Sequence, residues 1–312
     1  SGVAASEISS LGCHTDLWAP GAAVWSGMAQ SRGWHERFAK VTRADAVLGT
    51  AQGALARDAG LNSDCQIVCG AHDSNVALYA IQSAGLLSGD ICLMSTGTWT
   101  VTMAPGAALD ALNPRRDCLA NVSVSSVPVP TCRFMGGVEY TRIAGTTDIM
   151  PDADTCAERV RCGSMALPCF ANAGGPFSSQ HGEIIGPPPG SAKESAALAA
   201  LYFALVAAYE VALLGNRKTI VIEGAMTHNP VIPGLIAALT GAAVYICAGE
   251  AVSIGAARLA MAFDTSAALA LTPVAPLTIP GLDAYADKWR AAITARDVAA
   301  FETINRRQDK RP

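Results

Sequence analysis

Two short stretches carry residue types able to do chemistry on a polar substrate. In the first, the apolar run Ile67-Val68-Cys69 ends in Gly70-Ala71, and His72-Asp73 follow at once. A carboxylate set where a buried strand opens onto a loop can take a proton from a substrate hydroxyl. The same Asp73, leading through Ser74-Asn75 into an apolar segment, equally suits a turn or a helix N-cap. In the second stretch, Gly89-Asp90 starts the run Ile91 to Met94, Ser95-Thr96-Gly97-Thr98 turns the chain, and Trp99 to Met103 continues it. This reads as strand, tight polar turn, strand, with Gly97 where a backbone can approach a phosphate; an ordinary hairpin uses the same residues.

The elements that must hold these residues follow from periodicity and punctuation. Lys218 to Glu223 is a β-branched strand followed by Gly224-Ala225-Met226-Thr227-His228-Asn229-Pro230, and Pro230 suits the first turn of a helix over Val231 to Leu239. Ala243 to Cys247 is a further strand, and Ile254 to Phe263 an Ala-rich helix. Strand, glycine turn, helix, strand, helix is an α/β pattern, whose ligand belongs at the carboxyl ends of the strands, near Gly224 and Ala225. Ser191 to Gly215 is a buried helix, capped by Ser191 with Glu194 three positions on. Cys118 to Val129 alternates like a strand pair, and Gly136-Gly137 either joins strand to helix or lets the main chain near a ligand. Ala22 to Ala39 predicts one or two short helices around Gly33, and Gln52 to Ala59 another closed by Gly60. Ala173 to Pro189 is expected as a long surface excursion, and Asp283 to Arg311 as a solvated terminal helix.

Composition limits the function classes. The 312 residues are 51% hydrophobic and 15% charged, with a net charge of -4, so no basic footprint for nucleic acid is present. The most apolar window, Ser195 to Leu214, is interrupted by Tyr202, Tyr209 and Glu210, which argues for core and against a membrane span. Ser1 to Ser10 lacks the basic start and apolar centre of a secretory signal, so a cytoplasmic setting with reduced thiols is expected for the ten cysteines. Their spacing includes no zinc pattern.

Together, Val68-Cys69-Gly70-Ala71-His72-Asp73, the Ser95-Thr96-Gly97-Thr98-Trp99 turn, Pro130 to Gly137, and Glu223 to Pro230 followed by Ser253 to Ala257 resemble the carboxyl-terminal half of the FGGY carbohydrate kinases. The resemblance, which His72 beside Asp73 extends to the rhamnulose and fuculose kinases, implies an actin-like ATPase (ribonuclease H-like) α/β fold, a mixed sheet flanked by helices. It implies that Asp73 is the catalytic base, that Gly97 and Thr98 grip ATP phosphates, and that Gly224, Ala225 and Asn229 hold the adenosine. His72 and His14 become candidates for the sugar side. Magnesium is implied with ATP, and a deoxyketohexose such as L-rhamnulose or L-fuculose as the sugar, with xylulose or another pentulose as the alternative. Residues 1-66 correspond to the end of the family's amino-terminal, sugar-side domain and 67-312 to the carboxyl-terminal, ATP-binding domain. The family's Asp-x-Gly-Thr phosphate loop has no counterpart here, so a missing amino-terminal half is expected, and a silent nucleotide-binding module is the competing reading. The resemblance leaves room for a homodimer.

Overall fold

The computed structural model describes residues 1-13, 15-85, 90-171, 173-261 and 269-308, with 55 and 298-308 described by backbone alone. His14, Gly89, Phe263 and Arg311, each named in the sequence reading, lie outside the described residues. A seven-stranded mixed sheet organises the chain. Its strands are β1 (Ile91–Thr96), β2 (Thr100–Met103), β3 (Cys118–Val122), β4 (Pro128–Phe134), β5 (Thr219–Gly224), β6 (Ala243–Cys247) and β7 (Leu271–Val274), in the spatial order β7-β6-β5-β1-β2-β4-β3. β1, β5 and β6 run parallel, and the remaining neighbours pair antiparallel.

The main helices are α1 (Asp73–Ala84), α2 (Gly136–Ala144), α3 (Ala153–Cys162), α4 (Ala192–Leu213), α5 (Ile232–Thr240), α6 (Ala251–Ala260) and α7 (Leu282–Gln308). Strand period 2 divides the sheet's side chains between them. Cys92, Met94, Ile220 and Ile222 pack among α2, α3, α4, α5 and α7, whereas Ile91, Leu93 and Val221 pack against α1 and α6. The central strands are thus buried on both faces, which is why they are spelled as unbroken apolar runs.

α4 starts where the cap pattern places it, with the Ser191 hydroxyl accepting from the Glu194 amide at 3.3 Å. It is buried nearly all round, so its apolar length serves the core. Glu210 within it is fully buried and accepts from Thr102 Oγ1 at 2.7 Å; burial drives its pKa well above the ordinary carboxylate value.

Two expectations are corrected. The terminal helix is not simply solvated: Leu282, Tyr285, Trp289 and Ile293 form a buried stripe at helical spacing, and Trp289 Nε1 donates to the Ala166 carbonyl at 3.0 Å. The 173-189 excursion is partly internal, because Glu183–Ile185 pairs with Met165–Leu167 and Phe177 is buried edge-on against Trp289. Ahead of α7, β7 pairs with β6 at the sheet edge, where Pro273 is tolerated. Towards the amino end, the short helices Gly27–Ser31 and Trp34–Arg37 flank Gly33 as expected. Gln66–Val68 pairs with Val47–Thr50, so backbone hydrogen bonds cross residue 66.

Candidate active site

β1 and β2 are joined by Gly97, Thr98 and Trp99, with the Gly97 amide donating to the Trp99 carbonyl at 2.8 Å. A cavity opens on each side of this turn, and Gly97 and Thr98 line both. The turn is therefore a partition, which nothing in its hairpin-like sequence announces.

The first cavity, about 580 Å³, is bounded by α2 and by the turn after β5; Tyr140, Ala225, Met226 and Asn229 are among its walls. Its shape depends on close backbone packing. Thr96 Oγ1 donates to the Glu223 carbonyl at 2.6 Å and accepts from the Met226 amide at 3.0 Å, tying β1 to the turn beyond β5. Gly224, at φ +85, lies so close to β1 that a Cβ would overlap the Thr96 carbonyl oxygen. Gly224 is thus small because strand meets strand, and the wall facing the cavity begins one residue later, at Ala225. Gly137 has the same need at the other wall, where a Cβ would overlap the Gly97 carbonyl oxygen. Gly136-Gly137 opens α2 and lets its amino end abut the turn, an arrangement that favours anions. Asn229 lines the cavity but spends its carbonyl on the Val231 and Ile232 amides, both at 3.1 Å, and its amide on Tyr140 Oη at 3.2 Å. It acts as a cap that fixes the wall.

The second cavity, about 510 Å³, is charged: Cys13, His72, Asp73, Arg133 and Glu223 line it with Trp99 and Val252. Asp73 is not the N-cap that its context suggested, a place His72 takes, but the first residue of α1, and its carboxylate lines the cavity with 75% of the side chain exposed. Its Oδ1 accepts from its neighbour's amide, Ser74 N, at 2.6 Å and lies 3.0 Å from His72 Nδ1. That hydrogen bond from His72, followed by its charge and the Ser74 amide, holds the Asp73 pKa below the usual carboxylate value against an opposing desolvation. The partnership lifts His72 to about 10, with Asp73 the largest cause and Cys13 next, so the imidazole is cationic at neutral pH. Glu223 moves the other way: burial at the end of β5 pushes its pKa up, partly offset by a hydrogen bond from Ser95.

Arg133 was read from sequence only as part of a strand-to-glycine connection. In the fold its guanidinium stacks 4.5 Å above the Trp99 ring, and Nε donates to Asp117 at 3.1 Å. The hint available in the sequence was a single cation within the apolar β4, without the partner that would have made it legible. Glu223 was read only as a strand end, and Cys13 was passed over. Among the described residues, no group of three or more His, Cys, Asp or Glu side chains is placed to hold a metal ion.

Residues 88-269 match the family model for the carboxyl-terminal domain of the FGGY carbohydrate kinases. The chain belongs to that family. A search of curated proteins returned no match. Among solved structures, a carbohydrate kinase from Novosphingobium aromaticivorans is 35% identical, with a TM-score of 0.79 over 95% of this chain and 66% of its own. A ligand-bound xylulose kinase and a gluconate kinase, both from Lactobacillus acidophilus, are 13% and 14% identical. Their TM-scores are 0.70 and 0.75, over 95% and 96% of this chain and 64% and 65% of theirs. At that identity they attest the fold alone, the mixed sheet flanked by helices of the actin-like ATPases. The chain spans slightly less than two thirds of the length of each of these relatives.

Proposed function

We propose that this chain supplies the catalytic base and the ATP-binding domain of a sugar kinase that transfers the γ-phosphate of ATP to a ketose hydroxyl. The observation that carries the reading is the Gly97-Thr98 turn, which separates a mostly apolar cavity of nucleoside size, with Arg142 its one charged lining residue, from one lined by His72, Asp73, Arg133 and Glu223. Adenosine would lie between α2 and the Ala225 to Asn229 wall, and the phosphates would cross the turn at the amino end of α2. In the second cavity Asp73, held ionised by His72, accepts the proton of the attacking hydroxyl. Because phosphoryl transfer depends mainly on alignment and charge neutralisation, one positioned carboxylate suffices.

Magnesium fits the residues present as an ion carried by the nucleotide. The cavity offers Asp73 and Glu223, hard oxygen donors too few for a protein-built cage but suited to a cation that keeps water and phosphate ligands. Bound with ATP, it offsets triphosphate charge. His72 beside Asp73 resembles the pair of the rhamnulose and fuculose kinases, which favours a deoxyketohexose such as L-rhamnulose or L-fuculose over a pentulose; a sugar oxygen would take Nε2 in place of Cys13. We assign 1-66 to the end of a sugar-side domain and 67-312 to the nucleotide domain, with the remaining wall of the cleft supplied by a preceding amino-terminal half. A cytoplasmic location is part of the same proposal.

The deciding experiment is ADP release with magnesium-ATP across L-rhamnulose, L-fuculose, D-xylulose, D-ribulose and glycerol, with nucleotide affinity measured in parallel by calorimetry. Sugar-dependent release supports the kinase and names the acceptor. ATP binding with no release on any sugar, even after a homologous amino-terminal half is added, would leave a nucleotide-binding module. Absence of nucleotide binding would remove the reading altogether.

A further inference from the structure

Cys13 is placed on the second cavity by a construction that reaches across three parts of the fold. Glu7 caps the short helix Ile8–Leu11 by accepting from the Ser9 and Ser10 amides, both at 2.8 Å, and Ser9 Oγ accepts from the His72 amide at 3.3 Å. Gly12 then lies so close to β3 that a Cβ would overlap Val122, which lets the next residue reach over the strand. As a result Cys13 Sγ stands 3.4 Å from His72 Nε2 and 3.7 Å from Asn121 Nδ2. His72 continues through Nδ1 to Asp73, making a Cys-His-Asp chain on a solvent-reachable cavity.

Asn121 supplies a second, separate observation. Its side chain is fully buried and aimed at the sulfur, yet Oδ1 has no hydrogen-bond partner. A buried carbonyl without a donor costs about 1–3 kcal/mol and marks a place where a donor is expected. A hydroxyl on the Cys13 sulfur would be such a donor.

We propose that Cys13 is a modification site, a reactive thiol that a hydroperoxide oxidises to a sulfenic acid held by Asn121. His72 presents Nε2 to the sulfur at 3.4 Å, placed to take up the thiol proton as its own passes to the departing oxygen. The sulfur attacks one peroxide oxygen, an S–O bond forms and the O–O bond breaks. Sulfur is oxidised by two electrons and the peroxide is reduced; the departing oxygen takes the Nε2 proton of His72 and leaves as water or, from an alkyl peroxide, as an alcohol. Cys13 bears –SOH, its proton pointing to Asn121 Oδ1. The other cysteines lack this setting. Cys92, Cys156 and Cys169 are buried, and burial pushes each up to about 12. Cys65, Cys69 and Cys162 are partly exposed like Cys13 but, among the described residues, none has an imidazole within hydrogen-bond distance, so they serve as internal controls.

The consequence for catalysis rests on the kinase reading: the added oxygen occupies the acceptor side beside His72 and leaves the nucleotide cavity untouched. The chemistry of the thiol does not depend on that reading, so it is tested without turnover. The chain is freed of reductant, exposed to hydrogen peroxide at low stoichiometry, trapped with dimedone and mapped by peptide mass spectrometry. Cys13, with an imidazole beside its sulfur, should be tagged about tenfold or more faster than Cys65, Cys69 and Cys162. His72→Gln should slow Cys13 alone, and Asp73→Asn, a change on an exposed side chain, should slow it severalfold by weakening the charge on His72. Equal tagging of all partly exposed cysteines, or Cys13 tagging indifferent to both variants, would overturn the proposal. If the chain turns over, oxidation should remove sugar-dependent ADP release with nucleotide affinity retained. Persistence of release in fully Cys13-tagged protein would overturn the link to the acceptor site.

Discussion

The two cavities beside the Gly97-Thr98 turn are built by opposite means. The one enclosed by α2 and the Ala225 wall owes its form to backbone meeting backbone: Gly137 against the Gly97 carbonyl, Gly224 against that of Thr96, and Asn229 absorbed in capping. The other owes its character to charges drawn from distant segments: His72 and Asp73 at the head of α1, Arg133 from β4 and Glu223 from β5. The difference teaches that substitutions should act through shape on one side and through charge on the other. A flat, uncharged nucleoside needs a slot, whereas a proton and a phosphoryl group need a field.

The sharpest break of that comparison is Asp73→Ala. In a preparation that turns over, phosphoryl transfer should fall by roughly 10²- to 10⁴-fold, the usual contribution of a general base, with nucleotide affinity changed by no more than a few-fold. Steady-state ADP release and calorimetry read the two effects separately; near-normal turnover would take the base role from Asp73. Gly224→Val should give the converse. It forces a β-branched residue into positive φ and into the Thr96 carbonyl, so nucleotide binding should weaken about tenfold or more and stability fall by about 2–4 kcal/mol. Unchanged nucleotide affinity in a folded variant would place the adenosine elsewhere.

Arg133→Met should lower kcat/KM for the sugar by about tenfold, the scale of one lost charge-assisted contact, while nucleotide affinity stays put. It also strips Asp117 of its cation, leaving that carboxylate the Gly175 amide at 2.9 Å. An effect on nucleotide affinity larger than that on the sugar would show that Arg133 serves the first cavity.

The smallest effect is a titration. His72, lifted to about 10 chiefly by Asp73, should be seen protonated by NMR well past neutrality. Since its folded pKa lies above the ordinary 6.5, its stabilising contribution is complete below that value and is lost as the pH rises through about 10. The Asp73 carboxylate works in the opposite sense, contributing above its ordinary 3.8 and losing the contribution as the pH falls through its lowered folded value. Asp73→Asn should bring the His72 titration down towards 6.5; a titration that does not move would assign the lift to Cys13.

Legibility varied with the range of the determining contacts. The α4 cap at Ser191 and the β-branched run of β5 were legible because caps and periodicity act within a turn or a strand. α7 was misjudged because its charged face was weighed above the stripe of Tyr285, Trp289 and Ile293, and only packing on α3 and α4 shows that the stripe is buried. Asp73 could be found, because it ends an apolar run at a loop. Arg133 and Cys13 could not: their partners, Trp99 with Asp117 and His72 with Asn121, lie between 16 and 108 residues away.

By itself the sequence determined the α/β class, the order of the strands along the chain, the place of the glycine turns and the residue most suited to take a proton. These are local matters of side-chain period, backbone freedom and turn chemistry. Only the tertiary structure decided that β1 lies between β2 and β5, so that one turn divides two cavities, and that His72 meets Asp73 on one side and Cys13 on the other. Those outcomes depend on which surfaces bury each other, and burial is a property of the assembled sheet and its helices, in which residues far apart in the chain become neighbours.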